Sequence, residues 1–129
     1  MAATYTLARL TEVEDQAPGF GISEFQEARF ANDALATEST GVSFHRVKPG
    51  MRQAFAHRHE SAEEVYVVVS GAGRVKIDDE ILELEALDAL RIAPTAVRQF
   101  EAGPDGLEMI VFGPRLKGDG EVMPGWWSD

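Results

Sequence analysis

The 129-residue chain contains no cysteine. Disulfide bonds and thiolate metal sites are therefore excluded, and any metal ion must be held by imidazole, carboxylate, carbonyl or water ligands. Positive charge is also scarce, because 12 basic residues stand against 22 acidic ones and the formal net charge is -10. Such a charge repels nucleic-acid backbones and anionic lipid surfaces, so we expect no nucleic-acid partner and no membrane partner.

Long apolar segments are missing as well. No stretch approaches the roughly 18 apolar residues that cross a bilayer, and the first residues lack the charged start and apolar run of a signal peptide. Together with the absence of cysteine, this predicts a cytoplasmic protein. The length predicts one domain.

From Gly41 onward the sequence consists of short β-rich segments between turn signals. The alternation of Val75 and Ile77 before Asp78-Asp79 predicts a hairpin with the two aspartates at its tip. The pattern predicts an all-β sandwich or barrel over residues 41–113. The turn signals are "KPG" at 48–50, "SGAG" at 70–73, "DDE" at 78–80, "APT" at 93–95 and "AGPDG" at 102–106.

The flanking segments are expected to belong to the same domain. Residues 1–40 predict an N-terminal arm with a turn or two of helix, since the apolar spacing in "EFQEARFANDAL" is weakly helical. Residues 114–129 predict a C-terminal tail without regular structure. Its Trp126 and Trp127 are expected to cover an apolar edge or a partner subunit.

Two of the three histidines, His57 and His59, lie one residue apart. On a strand such side chains point to the same side, about 6.5 to 7 Å apart, so both imidazoles can bind one cation. A glutamate from the next β segment can supply a third ligand, and alternation allows either Glu63 or Glu64 to face inward. Two histidines and one carboxylate, with positions left for water or substrate, suit Fe, Mn, Ni or Zn. The sequence predicts a divalent transition metal site, and two rim histidines facing water are the alternative.

Three further polar residues are candidates for contact with a ligand. Gln53 has the strand parity of His57, so its amide can complete the coordination or bind substrate, or simply lie in a bend. Tyr66 has the parity of Glu64 and would face the same site, either as a substrate contact or as part of the core. His45 is expected to be a core or rim histidine rather than a ligand.

The stretch from Gly50 to Gly71 resembles the first sequence motif of the cupin superfamily. That motif usually runs Gly, about five residues, His-X-His, three or four residues, Glu, six residues and Gly. Here six residues separate Gly50 from His57, four separate His59 from Glu64, and six separate Glu64 from Gly71. The departure is one extra residue before His57, and the last spacing favours Glu64 as the glutamate ligand.

The resemblance covers the pattern of β segments and turns over residues 41–113. The similar proteins are small bacterial single-domain cupins with a conserved barrel. It implies a double-stranded β-helix, or jelly-roll barrel, with a short N-terminal arm. It also implies a site inside the barrel and commonly a homodimer.

The second cupin motif usually ends in a histidine that is a further metal ligand. In "LDALRIAPTAVRQFEAG" that position falls on Arg98. A guanidinium has no lone pair for a metal and repels a cation. Arg98 can therefore grip a carboxylate or phosphate of an anionic substrate beside a three-ligand metal, or it can pair with Glu64 in a metal-free barrel.

These residues leave two main functions open. The first is a cupin that binds a divalent metal inside the barrel and a small anionic ligand, and that acts as a metal-dependent small-molecule enzyme of the oxygenase or isomerase type. The alternative is a non-catalytic small-molecule-binding cupin in which Arg98 replaces the histidine and the site is metal-free. A structural dimer with a vestigial site is a third interpretation, and enzyme status stays open because the barrel hosts many chemistries.

Overall fold

The computed structural model describes residues 4–129, and the first three residues of the predicted arm lie outside that range. In this range the chain is mostly β, and no helix is long and apolar enough to cross a membrane. The elements are a 3-10 helix (Leu10–Glu12), the helices α1 (Ala17–Phe20) and α2 (Asn32–Leu35), and the strands β1 (Gln26–Phe30), β2 (Thr40–Val47), β3 (Ala56–His59), β4 (Glu64–Ile77), β5 (Glu80–Glu85), β6 (Ala89–Ile92), β7 (Arg98–Pro114) and β8 (Gly120–Met123).

Strand β7 is the centre of the sheet. It pairs antiparallel with β2, β3 and β4. From these neighbours the sheet continues to β1 beyond β2, to β8 beyond β3, and to β5 and β6 on β4. Because β7 has 17 residues and β4 has 14, both strands curl with the twist of the sheet, and the sheet closes into a barrel. The predicted all-β fold is confirmed.

Two glycine-rich stretches predicted as turns, 70–73 and 102–106, lie inside strands instead. They belong to β4 and β7, and the pairing register of these strands shifts between Gly71 and Gly73. Gly71 has a φ of +78°, and a Cβ atom at this position would overlap the carbonyl oxygen of Gly106. The glycines therefore bend two paired strands together rather than ending them.

The alternate residues of β4 and β7 that face inward form the core. Tyr66 and Val68 are 4% and 1% exposed, and Phe100 and Met109 are fully buried. The rings of Tyr66 and Phe100 pack with their centroids 4.7 Å apart. Glu64 has the same parity as Tyr66 and Val68, so its side chain extends the inward face of β4 at the polar end of the barrel.

The predicted hairpin is present. Ile77 pairs with Glu80 across Asp78 and Asp79, and Asp78 has the positive φ of 49° that such a tight turn requires. Val75 is fully buried and Ile77 packs against the same core, as the alternation predicts.

The predicted arm contains a strand as well as helix. The expected turn or two of helix is present in α1 and α2, which have four residues each. Residues 26–30, within the weakly helical stretch, form β1 and pair with β2, because pairing with a sheet edge outweighs a weak local preference. The division of the chain at residues 40 and 113 stays a prediction.

The expectation of a tail without regular structure is wrong for Gly120–Met123. This segment is β8, which pairs with β3 over four residues and so satisfies the backbone groups of a strand that meets β7 at a single pair. The tryptophans that follow lie in bends. Trp127 is 5% exposed and stacks against Arg52, whose guanidinium carbon lies 4.1 Å from the ring centroid.

Glu101 holds the arginines that cover Trp127. It accepts hydrogen bonds from Nε of Arg52 at 2.6 Å and from Nε of Arg74 at 2.9 Å, and Arg52 also donates to the backbone carbonyl of Trp127. Burial by itself raises the pKa of Glu101, but the two arginines outweigh this effect and lower the pKa below its usual value.

We expect Glu101→Gln to lower the free energy of unfolding at pH 7 by about 1–2 kcal/mol, because a neutral amide replaces a charged acceptor. Since folding depresses the pKa of Glu101, its contribution is complete above the unfolded value of 4.5 and is lost as the pH falls through the lower folded value. Urea denaturation between pH 7 and pH 3 measures the difference. Glu80→Gln, at an exposed position, is the control, and equal losses in both variants at pH 7 would contradict the assignment.

Candidate metal centre

His57 and His59 lie on the same face of β3 and point into the barrel. Their side chains are 24% and 17% exposed, so neither ring faces bulk water as the alternative interpretation required. The two ring centroids are 5.1 Å apart and the ring planes are perpendicular. The one-residue spacing on a strand thus brings both imidazoles to one point, as predicted.

Glu64, at the start of β4, is the glutamate that faces the histidines. Its side chain is 17% exposed, whereas the side chain of Glu63 is 57% exposed and contacts Arg91 at the surface. Glu64 rather than Glu63 therefore faces the histidines, as expected, and its role as a metal ligand stays a prediction.

The three side chains have the geometry of a metal-binding group. Glu64 Oε1 lies 3.4 Å from Nε2 of His57 and 3.2 Å from Nε2 of His59, and one ligand atom from each residue lies within 4.8 Å of the others. A metal bound at about 2.0 to 2.2 Å with tetrahedral angles separates two ligands by about 3.3 to 3.6 Å. The two distances between Glu64 and the histidines are thus already close to the spacing that a small divalent cation needs.

The carboxylate of Glu64 is held in its ionised form. Burial by itself raises its pKa, but the neighbouring imidazoles of His57 and His59 and the hydroxyl of Tyr66 outweigh burial and lower the pKa far below the usual value. The hydroxyl of Tyr66 donates to Glu64 Oε1 at 2.5 Å. Burial and the neighbouring carboxylate raise the pKa of Tyr66, so this hydroxyl keeps its proton and fixes the orientation of the carboxylate.

His59 has no correctly aligned hydrogen bond at either ring nitrogen, although both nitrogens are buried. Buried polar atoms without partners are uncommon, and a metal ion is one group that would satisfy such an atom. Nε2 of His59 is the nitrogen that faces Glu64, and Nδ1 lies 3.3 Å from Oδ2 of Asp119. Asp119 is itself fixed, because it accepts the backbone N–H groups of Ser61 and Ala62. Asp119 thus lies at the ring nitrogen that is turned away from Glu64, which is the position from which a carboxylate can orient a histidine ligand.

Arg98 is fully buried and lies opposite His57 in the pairing of β7 with β3. The ion pair between Arg98 and Glu64, one of the two roles considered for Arg98, is not formed: within residues 4–129 the guanidinium contacts backbone carbonyls and no carboxylate. Its Nη atoms donate to the carbonyl oxygens of Pro94 and Ala93 at 3.3 and 3.2 Å. The long side chain thus reaches back to its own preceding turn.

The turn that Arg98 holds also supports the histidine strand. The carbonyl oxygen of Pro94 accepts the backbone N–H of His59 at 2.8 Å. Arg98 therefore stabilises the position of β3 indirectly, through the carbonyl group of Pro94. The predicted contact between Arg98 and a substrate stays a prediction, and the side chain does not lie on the wall of the cavity beside the histidines.

Gln53 and His45 both lie on that wall. The amide oxygen of Gln53 accepts the backbone N–H of Phe100 at 3.1 Å, so this oxygen is used within the chain. His45 shares a hydrogen bond of 2.9 Å with the hydroxyl of Ser43. Burial, followed by the proximity of His57, lowers the pKa of His45 to about 4, so this imidazole is neutral at pH 7.

A cavity of about 360 Å³ opens beside the three candidate ligands. Among the described residues no arginine or lysine lines it, and much of its wall comes from outside β3 and β4. Its apolar lining consists of Phe20, Ile22, Ala28, Phe30, Phe55, Tyr66, Val111 and Val122.

Sequence reasoning missed Asp119 and the apolar wall from the N-terminal segment. Asp119 stands 60 residues after His59 in a Gly-Asp-Gly stretch that reads as an ordinary turn. Phe20 and Phe30 fit no strand pattern that points to the histidines. No local signal identifies these residues, because their position depends on how the two chain ends fold back onto the barrel.

A model of the Cupin domain family matches residues 43–112. No curated protein matches the chain.

Solved structures with the same fold cover nearly the whole chain. A cupin protein from Bacteroides fragilis is 28% identical, with a TM-score of 0.70 over 91% of this chain and 88% of that one. Oxalate decarboxylase from Bacillus subtilis is 17% identical, with a TM-score of 0.74 over 94% of this chain and 33% of that one. A Streptomyces protein solved with uridine is 17% identical, with a TM-score of 0.72 over 95% and 92%. The last two show the fold alone, and the set confirms the predicted jelly-roll barrel.

We expect Asp119→Asn to weaken Zn²⁺ binding about 10- to 100-fold, because a neutral amide orients the His59 ring less firmly than a carboxylate. Titration against a competing chelator measures the affinity, and thermal unfolding checks that the 60–62 turn is retained. Asp105→Asn, at an exposed position, is the matched control. If Asp119→Asn binds Zn²⁺ as tightly as this control, Asp119 does not orient a ligand.

Proposed function

The chain belongs to the cupin domain family, and we propose that it binds a divalent transition metal ion on His57, His59 and Glu64 together with a small ligand in the adjoining cavity. The observation that carries this proposal is the convergence of two imidazoles and one carboxylate within 4.8 Å. The same donor set suits Fe, Mn, Ni and Zn, so the proposal covers the class of metal rather than one element.

The residues of the chain have separate roles in this proposal. His57, His59 and Glu64 supply three ligands, and Tyr66 and Asp119 hold two of them in place. Three protein ligands leave positions for water or a ligand oxygen. A bound divalent ion would act there as a Lewis acid on a ligand oxygen. The apolar wall of the cavity limits the access of water and so strengthens the electrostatic interactions at the site.

We propose a metal-dependent small-molecule enzyme of the oxygenase or isomerase type as the activity of this site. The cavity volume of about 360 Å³ lies in the range of small-molecule sites. The ligand is proposed to meet the ion through an anionic or neutral oxygen, since a cation with open positions favours such donors. The net charge of -10 supports a small molecule rather than a nucleic acid or a membrane as the partner. The cytoplasmic location and the homodimer both stay predictions. Analytical ultracentrifugation tests the homodimer.

The second candidate function is a metal-free barrel that binds a small molecule without turnover. The observation that favours it is Arg98, which stands opposite His57 at the position where the family motif has a further histidine ligand. A guanidinium there supplies no lone pair and adds positive charge beside the site. Whether the wild-type chain holds a metal separates the two functions.

Protein purified without a histidine tag and loaded with Fe, Mn, Ni or Zn is expected to retain about one ion per chain. His57→Ala and Glu64→Gln are expected to lose most of it, because two donors cannot hold the ion as three do. Elemental analysis after desalting measures the content. Glu63→Gln, which changes an exposed neighbour, is the matched control and should retain the ion. Equal content in the wild type, His57→Ala and Glu64→Gln would refute the site.

Arg98→His is expected to tighten metal binding at least about 10-fold, because it removes a like charge and adds an imidazole donor. Arg98→Met removes the charge without adding a donor, so it separates the two effects and should tighten binding less. Calorimetric titration with Zn²⁺ gives the affinities, and thermal unfolding shows whether the turn that Arg98 braces survives. Unchanged affinity in both folded variants would show that Arg98 does not oppose the ion.

A further inference from the structure

The walls of the cavity are mostly apolar beyond the three candidate ligands, although Gln26, Ser43, His45, Gln53 and Glu121 also line it. Phe20, Phe30 and Val122 are 68%, 50% and 56% exposed, and all three line the cavity. Large apolar side chains gathered at one opening and left accessible to water are a common sign of a binding site. Phe20 comes from α1, Phe30 from β1 and Val122 from β8, so three separate segments contribute to the same surface.

Several polar groups of the wall already have a hydrogen bond within the chain. The amide oxygen of Gln26 accepts the backbone N–H of Ala54, and that of Gln53 accepts the N–H of Phe100. His45 is bonded to Ser43. A ligand that carries many hydroxyl groups would therefore find these acceptor oxygens occupied, and its own desolvated polar groups would cost binding energy.

Positive charge is also missing from the described part of the wall. The cavity has neither arginine nor lysine in its lining, and Arg98 is turned toward the carbonyls of Ala93 and Pro94. Phosphate groups and second carboxylates are usually held by such side chains. Charge on the ligand is thus favoured at one place, next to His57, His59 and Glu64.

We propose that the cavity takes a compact molecule with one oxygen-donor head and an apolar body, aromatic or branched aliphatic, of about a dozen non-hydrogen atoms. This rests on the proposed metal site, which receives the head. The size follows from the 360 Å³ volume at roughly 30 Å³ for each water-sized group. Phe20, Phe30 and Val122 contact the body and select for it. Sugar phosphates and small dicarboxylates fit this wall poorly.

All of the residues named as selecting the body lie outside the 43–112 segment that matches the family model. Phe20 and Phe30 precede it and Val122 follows it. The ligand head is thus assigned to the shared part of the barrel, and the body is assigned to the two flanking segments. Specificity can differ between chains that keep the same three donor residues.

Benzohydroxamate and acetohydroxamate test this division, because they share one oxygen-donor head and differ in the body. In Zn²⁺-loaded protein we expect benzohydroxamate to bind on the order of 10- to 100-fold more tightly, from the apolar area that its ring buries. Calorimetric titration measures both dissociation constants. Phe20→Ser and Val122→Ser should reduce this preference and leave acetohydroxamate affinity unchanged. Ile81→Ser, which is 46% exposed and away from the cavity, is the matched control.

Titration of indole into metal-free protein tests whether the cavity walls bind an apolar molecule when no metal ion is present. Shifts in NMR signals confined to the cavity, and weakened by Phe20→Ser, would support the apolar site even if no hydroxamate binds. If neither hydroxamate binds but indole still does, the metal site is refuted, whereas the proposal of an apolar ligand body stands. Equal affinities for the two hydroxamates, or indole shifts elsewhere, would overturn the inference. Self-association that Phe20→Ser abolishes, with equal hydroxamate affinities, would assign the surface to a second copy of the chain instead.

Discussion

The long antiparallel pairing of β4 with β7 is the constraint on which the molecule depends. It runs from Val65 opposite Phe112 to Ile77 opposite Arg98, and the two strands bend together where Gly71 meets Gly106. This bend turns one face of both strands inward. The core therefore continues without a break into the polar end of the barrel, where Glu64 starts β4. A site built on such paired strands is held more rigidly than one built on loops.

At that polar end, the negative charge of Glu64 is stabilised by its neighbours. A carboxylate buried among apolar residues would normally take up a proton. Glu64 instead accepts from Tyr66 and faces two imidazoles, so it stays charged where a cation is needed. The cost of holding negative charge inside the barrel is thus offset by neighbours that also fix its direction.

The sequence was sufficient for the parts of the structure that depend on local alternation. One-residue spacing placed His57 and His59 on a common face, and the six residues before Gly71 selected Glu64. Prediction failed where a side chain or segment acts over distance. The hydrogen-bond partners of Arg98 depend on which carbonyl oxygens of the preceding turn point toward its side chain. Strand alternation does not predict that orientation. The glycine runs predict turns because a bulge and a turn use the same residues, and only the pairing partner distinguishes them.

The placement of β8 has a consequence for how the molecule is made. Asp119 and the strand that covers β3 belong to the last residues of the chain, while His57 and His59 lie near its middle. During synthesis on a ribosome one edge of the histidine strand stays unpaired until β8 has emerged, about 60 residues later. The surroundings of the three candidate ligands are then complete only after β8 has paired with β3.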